Sequence, residues 1–403
     1  MNYIFVMCGF TVYTGSDKFL RLSVASEFEK IKYRGPDNTV IRDFGDKGWM
    51  GFHRLKIIDV SDEGNQPLSD HNIHLVCNGE VYNYPELKRE YQSRYSFQSD
   101  SDCEVIIPMY RELGIMETAR RLDAEFVCVI YDSEKDCYVA ARDPIGIRPL
   151  FYGYTGDGSL LFASEMKSLS DLCEEVLPFP PGHVYDGTQF IPYRAIHRAE
   201  AYHDHDLDAV FQGINRLLTR AVEKRLQADV PVGFLCSGGL DSSLVCAIAA
   251  RMLDKPIRTF AVGIDEDPID TRYARQVADY LGADHTEVLF SRQDIFDTLS
   301  SLIYRIETYD ITTIRASMGM YLVSQYIATH TDIRVLMTGE ISDELFGYKY
   351  TDYAPSPEAF QAEAEKRIRE IYMYDVLRAD RSISSHGLEA RVPFGDLDFV
   401  SYV

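Results

Sequence analysis

The residues best suited to chemistry in the second half of the chain are Ser237-Gly238-Gly239-Leu240-Asp241-Ser242-Ser243. Ahead of them Val230, Val232, Phe234, Leu235 and Cys236 read as a buried parallel strand, and behind them Leu244, Val245, Ile248, Ala249 and Met252 recur at helical spacing. Residues 230–252 are therefore expected to run strand, tight loop, helix. Two adjacent glycines let the backbone approach an anion closely, and the serines and Asp241 sit where a helix N-terminus leaves N–H groups unpaired. Such a loop is built to hold phosphate. No Gly-Lys-Ser/Thr closes it and it contains no lysine, so it is not a Walker loop and suits pyrophosphate better than a transferred γ-phosphate. A Ser/Gly/Asp cluster after a strand is also a plain turn with an N-cap, and only the full string favours the phosphate reading.

In the first half, polar residues interrupt short alternating strands in Met7-Cys8-Gly9-Phe10, Gly51-Phe52-His53-Arg54-Leu55-Lys56-Ile57-Ile58-Asp59 and Leu75-Val76-Cys77-Asn78-Gly79-Glu80-Val81-Tyr82-Asn83. Arg34-Gly35-Pro36-Asp37 and Ser101-Asp102-Cys103-Glu104 join them. Together these strings resemble a class II glutamine amidotransferase domain, whose N-terminal cysteine takes ammonia from glutamine. The resemblance implies a thiolate at Cys8 attacking the side-chain amide, with the cysteine's own α-amine, pKa about 8, as base. It implies Asn78 and the Gly79 N–H as oxyanion donors, Arg54 as a bidentate clamp on the substrate α-carboxylate, and Asp102 as partner of its α-ammonium. Leu55, Lys56, Ile57, Ile58 and Glu80 complete the expected glutamine site. Singly, each has a plainer reading: Cys8 as a small buried hydrophobe, Asn78-Gly79 as a hairpin turn, Arg54 as a surface ion pair. Their joint order favours the amidotransferase. Ala141 through Leu150, Phe162-Ala163-Ser164-Glu165-Met166-Lys167 and Pro180-Pro181-Gly182-His183 match the same family and lead to the end of the domain.

The phosphate loop resembles the PP-loop of ATP pyrophosphatases, which activate a carboxylate as an acyl-adenylate. After it, Ile257 to Ile264, the segment around Thr286 to Phe290, and Arg334 to Glu340 read as further strands separated by helical patterns such as Thr271 to Leu281. Strands alternating with helices predict a doubly wound parallel sheet with its ligand crevice at the strands' C-terminal ends, where Ser237, Val262, Thr338 and Glu340 all fall. Glu307-Thr308-Tyr309-Asp310-Ile311-Thr312-Thr313-Ile314-Arg315-Ala316-Ser317 and the segment from Leu377 to Phe394 sharpen the resemblance to glutamine-hydrolysing asparagine synthetase over nearly the whole chain. It implies amidation of aspartate through β-aspartyl-AMP, fed by ammonia crossing an internal tunnel. Cys236 through Ser243, Val262, Thr338 and Gly339 would contact ATP or pyrophosphate; Thr312, Arg315, Glu340 and Asp343 would lie at aspartate or the intermediate; Asp241 and Asp343 would hold Mg2+. A carboxylate after a strand-end glycine can instead cap a helix, which keeps a plainer reading open for Glu340.

The organisation expected is an N-terminal Ntn-hydrolase-type αββα sandwich over residues 8–192, an exposed linker over 193–209, and a PP-loop α/β domain over 210–403 opened by an amphipathic helix from Val210 to Leu226. A chain of 403 residues is long enough for sizeable cores, and its net charge of −22, without any basic run, argues against a nucleic-acid surface. No apolar run reaches the roughly 18 residues of a membrane helix, and the eight cysteines show neither a Cys-x-x-Cys pair nor a zinc spacing, so a cytosolic protein is expected. The small molecules implied are glutamine, aspartate and ATP, and a homodimer stays open.

Three features depart from the family pattern. Cys8 does not follow the first methionine, and Met7 directly precedes it, so active protein is expected to begin at Cys8. The family's Gly-Glu-Gly-x-Asp-Glu reads Gly339-Glu340-Ile341-Ser342-Asp343-Glu344, and its double glycine reads Gly347-Tyr348. The sequence stops at Val403, where relatives continue through a further helical region, so a shortened synthetase half is expected beside an intact glutaminase half. That leaves open a weakened paralogue acting by binding alone. A β-lactam-synthetase-like enzyme is disfavoured, because such relatives do not need Cys8, Arg54, Asn78 and Asp102.

Overall fold

The structure, a computed structural model, describes residues 8–198, 206–265 and 269–403, which fall into two compact units, one running to Ala195 and the other starting at Ile196. The linker expected over 193–209 contains that division, and its residues 199–205 lie outside the described residues.

The first unit is an αββα sandwich of two antiparallel six-stranded sheets. One has the order Val176–Pro178, Phe151–Tyr154, Leu160–Ala163, Gly9–Tyr13, Trp49–Arg54, Asn38–Asp43; the other Phe190–Pro192, His183–Tyr185, Cys137–Arg142, Ala124–Asp132, Ile73–Val81, Leu68–Asp70. Period-two alternation sends Phe10, Val12, Met50 and Phe52 of the first sheet against Val76, Val127 and Val129 of the second. The opposite faces are covered too, Tyr13 and Trp49 by Val24 and Phe28 of the helix Lys18–Phe28, and Leu75, Phe126 and Ile130 by the helices Tyr84–Tyr91 and Ile106–Arg121. The central strands Gly9–Tyr13, Trp49–Arg54 and Ala124–Asp132 are in consequence buried at every position, and a polar residue within them has a partner or a purpose.

The second unit is built on a parallel five-stranded sheet in the order Asp284–Phe290, Arg258–Ile264, Val232–Leu235, Val335–Met337, Glu389–Arg391. The chain first steps outward on one side of Val232–Leu235 and then returns to the other side, so the strand order reverses between Val232–Leu235 and Val335–Met337. A crevice opens at the carboxyl ends of strands at such a switch point. The two loops leaving it begin with Cys236 and Thr338. The helix Leu207–Arg225 precedes the sheet, N-capped by Asp206, whose side chain accepts from the Ala209 N–H. The fold class anticipated from the sequence is the one observed, with one addition: Glu389–Arg391, expected only as part of a family motif, is the fifth strand.

Candidate active sites

Cys8 stands immediately before the central strand Gly9–Tyr13, whose register pairs Gly9 with His53. Its thiol lies against the Leu55 backbone, accepting from the Leu55 N–H at 3.3 Å and donating to the Leu55 carbonyl at 3.4 Å. Arg34 donates from Nε to the Cys8 carbonyl at 3.0 Å and pairs through Nη1 with Glu165 at 2.8 Å, both side chains 0% exposed. Thiol and carbonyl are thus fixed from two directions. His53 supplies no base here: its ring stacks on Phe28 at 3.7 Å, Nδ1 meets Thr39 at 2.8 Å, and Nε2 meets the Phe28 carbonyl at 3.2 Å. Burial pulls its pKa down to about 4, so it is neutral near pH 7. Residues 1–7, whose removal would free the Cys8 α-amine, lie outside the described residues.

Asn78 and Gly79 lie inside the strand Ile73–Val81, paired with Val127 and Phe126, which excludes the hairpin-turn reading. Asn78 is 1% exposed and its Nδ2 finds no hydrogen-bond acceptor in the structure. A buried donor left unpaired costs about 1–3 kcal/mol, which makes sense where an oxyanion is to form. Gly79 has φ +154°, and a Cβ there would lie 2.1 Å from the Glu125 carbonyl oxygen, so no larger residue fits. Asp102, also buried, accepts the Val81 N–H at 2.7 Å, which ties it to the same strand end as Asn78, Gly79 and the buried Glu80. Arg54 is buried rather than a surface ion pair. Its Nη1 donates to the Ser61 carbonyl at 2.6 Å and Asn65 at 2.9 Å, and its Nη2 to the Asp59 carbonyl. Those two nitrogens therefore brace the loop after Ile58, a role the expected carboxylate clamp did not include. Lys56 joins that loop through Asp62 at 2.8 Å while its N–H donates to Asp37 at 3.0 Å, and Ile57 is buried beside it. Asn78→Ala is expected to lower glutamate release from glutamine by about 100-fold or more while leaving ammonia-dependent synthesis intact.

In the second unit a cavity of about 430 Å³ occupies the switch-point crevice, lined by Cys236, Ser237, Gly239, Asp241 and Ser242 from the first loop, Val262, and Thr338, Gly339, Glu340 and Asp343 from the second. The loops touch: a Cβ on Gly339 would sit 2.8 Å from the Ser242 nitrogen, and the Asp241 carboxylate accepts the Ser342 hydroxyl at 2.6 Å. Gly238, at φ +78°, faces away from the cavity lining, where a Cβ would meet Tyr273 at 2.5 Å. Leu240 is 72% exposed, and neither it nor Ser243 lines the cavity. Thr312 and Arg315 do not line it either; both are exposed on the helix Ile311–His330, one turn before Ala316, Gly319, Met320 and Val323, which do. Helical spacing puts them along the same face beyond the cavity's edge. Thr338 presents a buried hydroxyl without a partner in the structure, a group available to a ligand.

Glu340 is no helix cap. The short helix Ser342–Phe346 has no side-chain cap and is headed by Ile341 at φ 82°, a left-handed conformation uncommon for a β-branched residue. Glu340 instead pairs with Arg378, which also holds Asp375 at 2.9 Å. Burial pushes the Glu340 carboxyl above its usual range against the pull of Arg378. Arg378, Asp375, Glu344 and Tyr348 all line the cavity; Arg378 and Asp375 were not anticipated from the sequence, whereas Glu344 closes the family motif and Tyr348 is the departure from its double glycine; Tyr348 donates to Glu344, whose pKa burial and Asp375 push up to about 8. Arg378→Met should destabilise the chain by about 3 kcal/mol in urea unfolding, since it strands Glu340 in the cavity wall without its cation.

Among the described residues no group of three or more acidic, His or Cys side chains could hold a metal by itself. Asp241 and Asp343 line the same cavity, and burial with the Asp241 charge holds the Asp343 carboxyl above its usual range. Two carboxylates beside a phosphate loop fit a magnesium ion that takes its remaining oxygens from phosphates and water.

The family described as "Glutamine amidotransferase domain" matches residues 7–183, and the family described as "Asparagine synthase" matches residues 213–361 and 353–403. A protein named probable asparagine synthetase [glutamine-hydrolyzing], of Acanthamoeba polyphaga mimivirus, is 39% identical across 98% of this chain and 78% of its own length. Asparagine synthetase [glutamine-hydrolyzing] 3 of Arabidopsis thaliana is 40% identical across 98% of this chain and 70% of its own length, and the Homo sapiens asparagine synthetase is 39% identical across 98% and 76%.

Proposed function

This chain belongs to the glutamine-hydrolysing asparagine synthetases, and from that premise we infer how its residues carry ATP-driven, glutamine-dependent asparagine synthesis. The Cys8 sulfur attacks the glutamine side-chain amide, its own α-amine taking the thiol proton and passing it to the departing ammonia. Asn78 Nδ2 and the Gly79 N–H hold the oxyanion, with Asp102 facing the substrate α-ammonium and Arg54 governing the loop against its carboxylate. Water then releases glutamate from the thioester.

In the second unit the phosphate loop and the Thr338–Gly339 turn hold ATP, while Thr312 and Arg315 extend the site toward aspartate. The β-carboxylate of aspartate attacks the α-phosphorus and expels pyrophosphate; ammonia then attacks the β-aspartyl carbonyl and expels AMP. Asp241 and Asp343 would hold magnesium, which screens the charge on the pyrophosphate when bound. Glu340, kept in place by Arg378, orients aspartate and its adenylate. The observation that carries this reading is the placement of the phosphate loop, Thr338 and Glu340 around one cavity at the switch point. The test is aspartate carrying oxygen-18 in its β-carboxylate: one labelled oxygen should appear in AMP. Label in inorganic phosphate with ADP as co-product would overturn the adenylate route.

The described residues include no helix long and apolar enough to cross a membrane. The same reading places the activity in the cytosol, where all eight cysteines, none of them disulfide-bonded, stay reduced. It leaves a homodimer as the assembly for sizing experiments to decide.

A further inference from the structure

The segment Phe162-Ala163-Ser164-Glu165-Met166-Lys167 is pressed against the strand that carries the nucleophile. Its strand, Leu160–Ala163, pairs with Gly9–Tyr13, and the contact runs on toward Cys8. The Ser164 N–H donates to the Phe10 carbonyl at 3.0 Å, and the Phe10 N–H donates to the Ser164 hydroxyl at 3.1 Å. Glu165 comes next, and its Oε1 accepts from Arg34 Nη1 at 2.8 Å, out of reach of solvent. Its Oε2 accepts from the Tyr33 hydroxyl and the Lys167 ammonium, and Lys167 also donates to the Tyr33 hydroxyl at 2.9 Å. One buried carboxylate thus holds two cations.

We propose that Glu165 is a positioning residue for glutamine hydrolysis: through Arg34 it fixes the Cys8 carbonyl, and with it the direction of the Cys8 α-amine. The proposal rests on the reading of Cys8 as the nucleophile and of its own amine as the base. Besides hydrogen, the Cys8 Cα carries the side chain, the carbonyl and the amine. Leu55 holds the thiol through both its N–H and its carbonyl, and Arg34 Nε holds the carbonyl at 3.0 Å. With those two fixed, tetrahedral geometry leaves the amine one direction. Gly9 permits the arrangement, since a Cβ there would lie 3.0 Å from Arg34 Cδ and push the guanidinium off the strand.

A general base works only within hydrogen-bond reach of the proton it takes, and a misplacement of about 1 Å costs about 100-fold in rate. Tyr33 and Lys167 set the plane of the Glu165 carboxylate by engaging Oε2, which turns Oε1 toward Arg34. Without the carboxylate, Arg34 and Lys167 remain as two buried like charges that repel, and Arg34 moves off the Cys8 carbonyl.

The experiment measures glutamate release by the chain beginning at Cys8, with urea unfolding as the control for folding. Glu165→Gln is expected to lower kcat by about 100-fold and to leave KM for glutamine within about twofold, because Arg54, Asn78 and Asp102 are untouched. The double variant Glu165→Gln with Lys167→Met removes one charge of each sign, so the local balance returns while Arg34 still lacks the Glu165 carboxylate. Its kcat should stay as low as that of the single variant, and it carries the test if the single variant does not fold. A single variant at the parent rate, a raised KM with unchanged kcat, or recovery of the parent rate in the double variant would each overturn the proposal, the last by showing that Glu165 only balances buried charge. Alkylation of Cys8 by iodoacetamide, located by peptide mapping, reads the amine and thiol without turnover and should slow in both variants. If the parent chain releases no glutamate, the amidotransferase reading fails and alkylation alone decides: an unchanged rate would sink the positioning role.

Discussion

Protein whose first residue is Cys8 is expected to hydrolyse glutamine, and protein that still carries residues 1–7 is expected to hydrolyse none. While those residues are attached, the Cys8 nitrogen is an amide without a basic lone pair, and general-base assistance is worth roughly 100- to 10,000-fold. His53 does not take its place, since it is neutral and both its ring nitrogens are engaged by Thr39 and Phe28. Met7 directly before Cys8 makes translation from Met7 with methionine removal the shortest route to that terminus. Both forms should use free ammonia equally, because the synthetase cavity lies wholly in the second unit. Intact-mass measurement paired with glutamate release checks this, and full glutaminase activity in material shown to begin at Met1 would refute the α-amine as base.

Glu340→Ala and Asp241→Ala should each lower pyrophosphate release from ATP and aspartate by about 100-fold or more, with glutamine hydrolysis nearly unchanged. Neither change is expected to unfold the unit. Without Glu340, Arg378 keeps Asp375 at 2.9 Å, and without Asp241 only the Ser342 hydroxyl bond between the two loops is lost. What each change removes is a carboxylate from the cavity lining. Near-normal pyrophosphate release in either variant would show that the residue has another role.

The phosphate loop could be read directly because its chemistry is contiguous: seven adjacent residues sit between a β-branched, apolar run and a helical pattern, and local structure alone assembles them. Cys8, Asn78 and Asp102 were legible as members of a resemblance, since they come from separate segments that only sheet pairing assembles. The partners of Glu340 were not. Arg378 lies 38 residues away, on the helix Asp375–Ser384, and nothing local distinguishes it from a surface arginine at helical spacing. Three-residue strands such as Glu389–Arg391 are too short for a periodic signal and exist because Val335–Met337 offers them an edge. Arg54 was expected at the glutamine site from the resemblance, but its two terminal nitrogens are engaged by carbonyls of a loop whose path no local rule supplies. Ile341 shows the converse: the sequence marks it as standing where the family has glycine, and the backbone there keeps a left-handed φ of 82° regardless.

The most direct test of the account supplies glutamine labelled with nitrogen-15 in its side-chain amide, together with aspartate, ATP and magnesium, to protein beginning at Cys8, in the presence of excess unlabelled ammonium below its own saturation. The account predicts asparagine carrying nitrogen-15 in its side-chain amide, with AMP, pyrophosphate and glutamate formed alongside. Labelled ammonia released to solution with glutamate, and asparagine absent or carrying only unlabelled nitrogen, would contradict it.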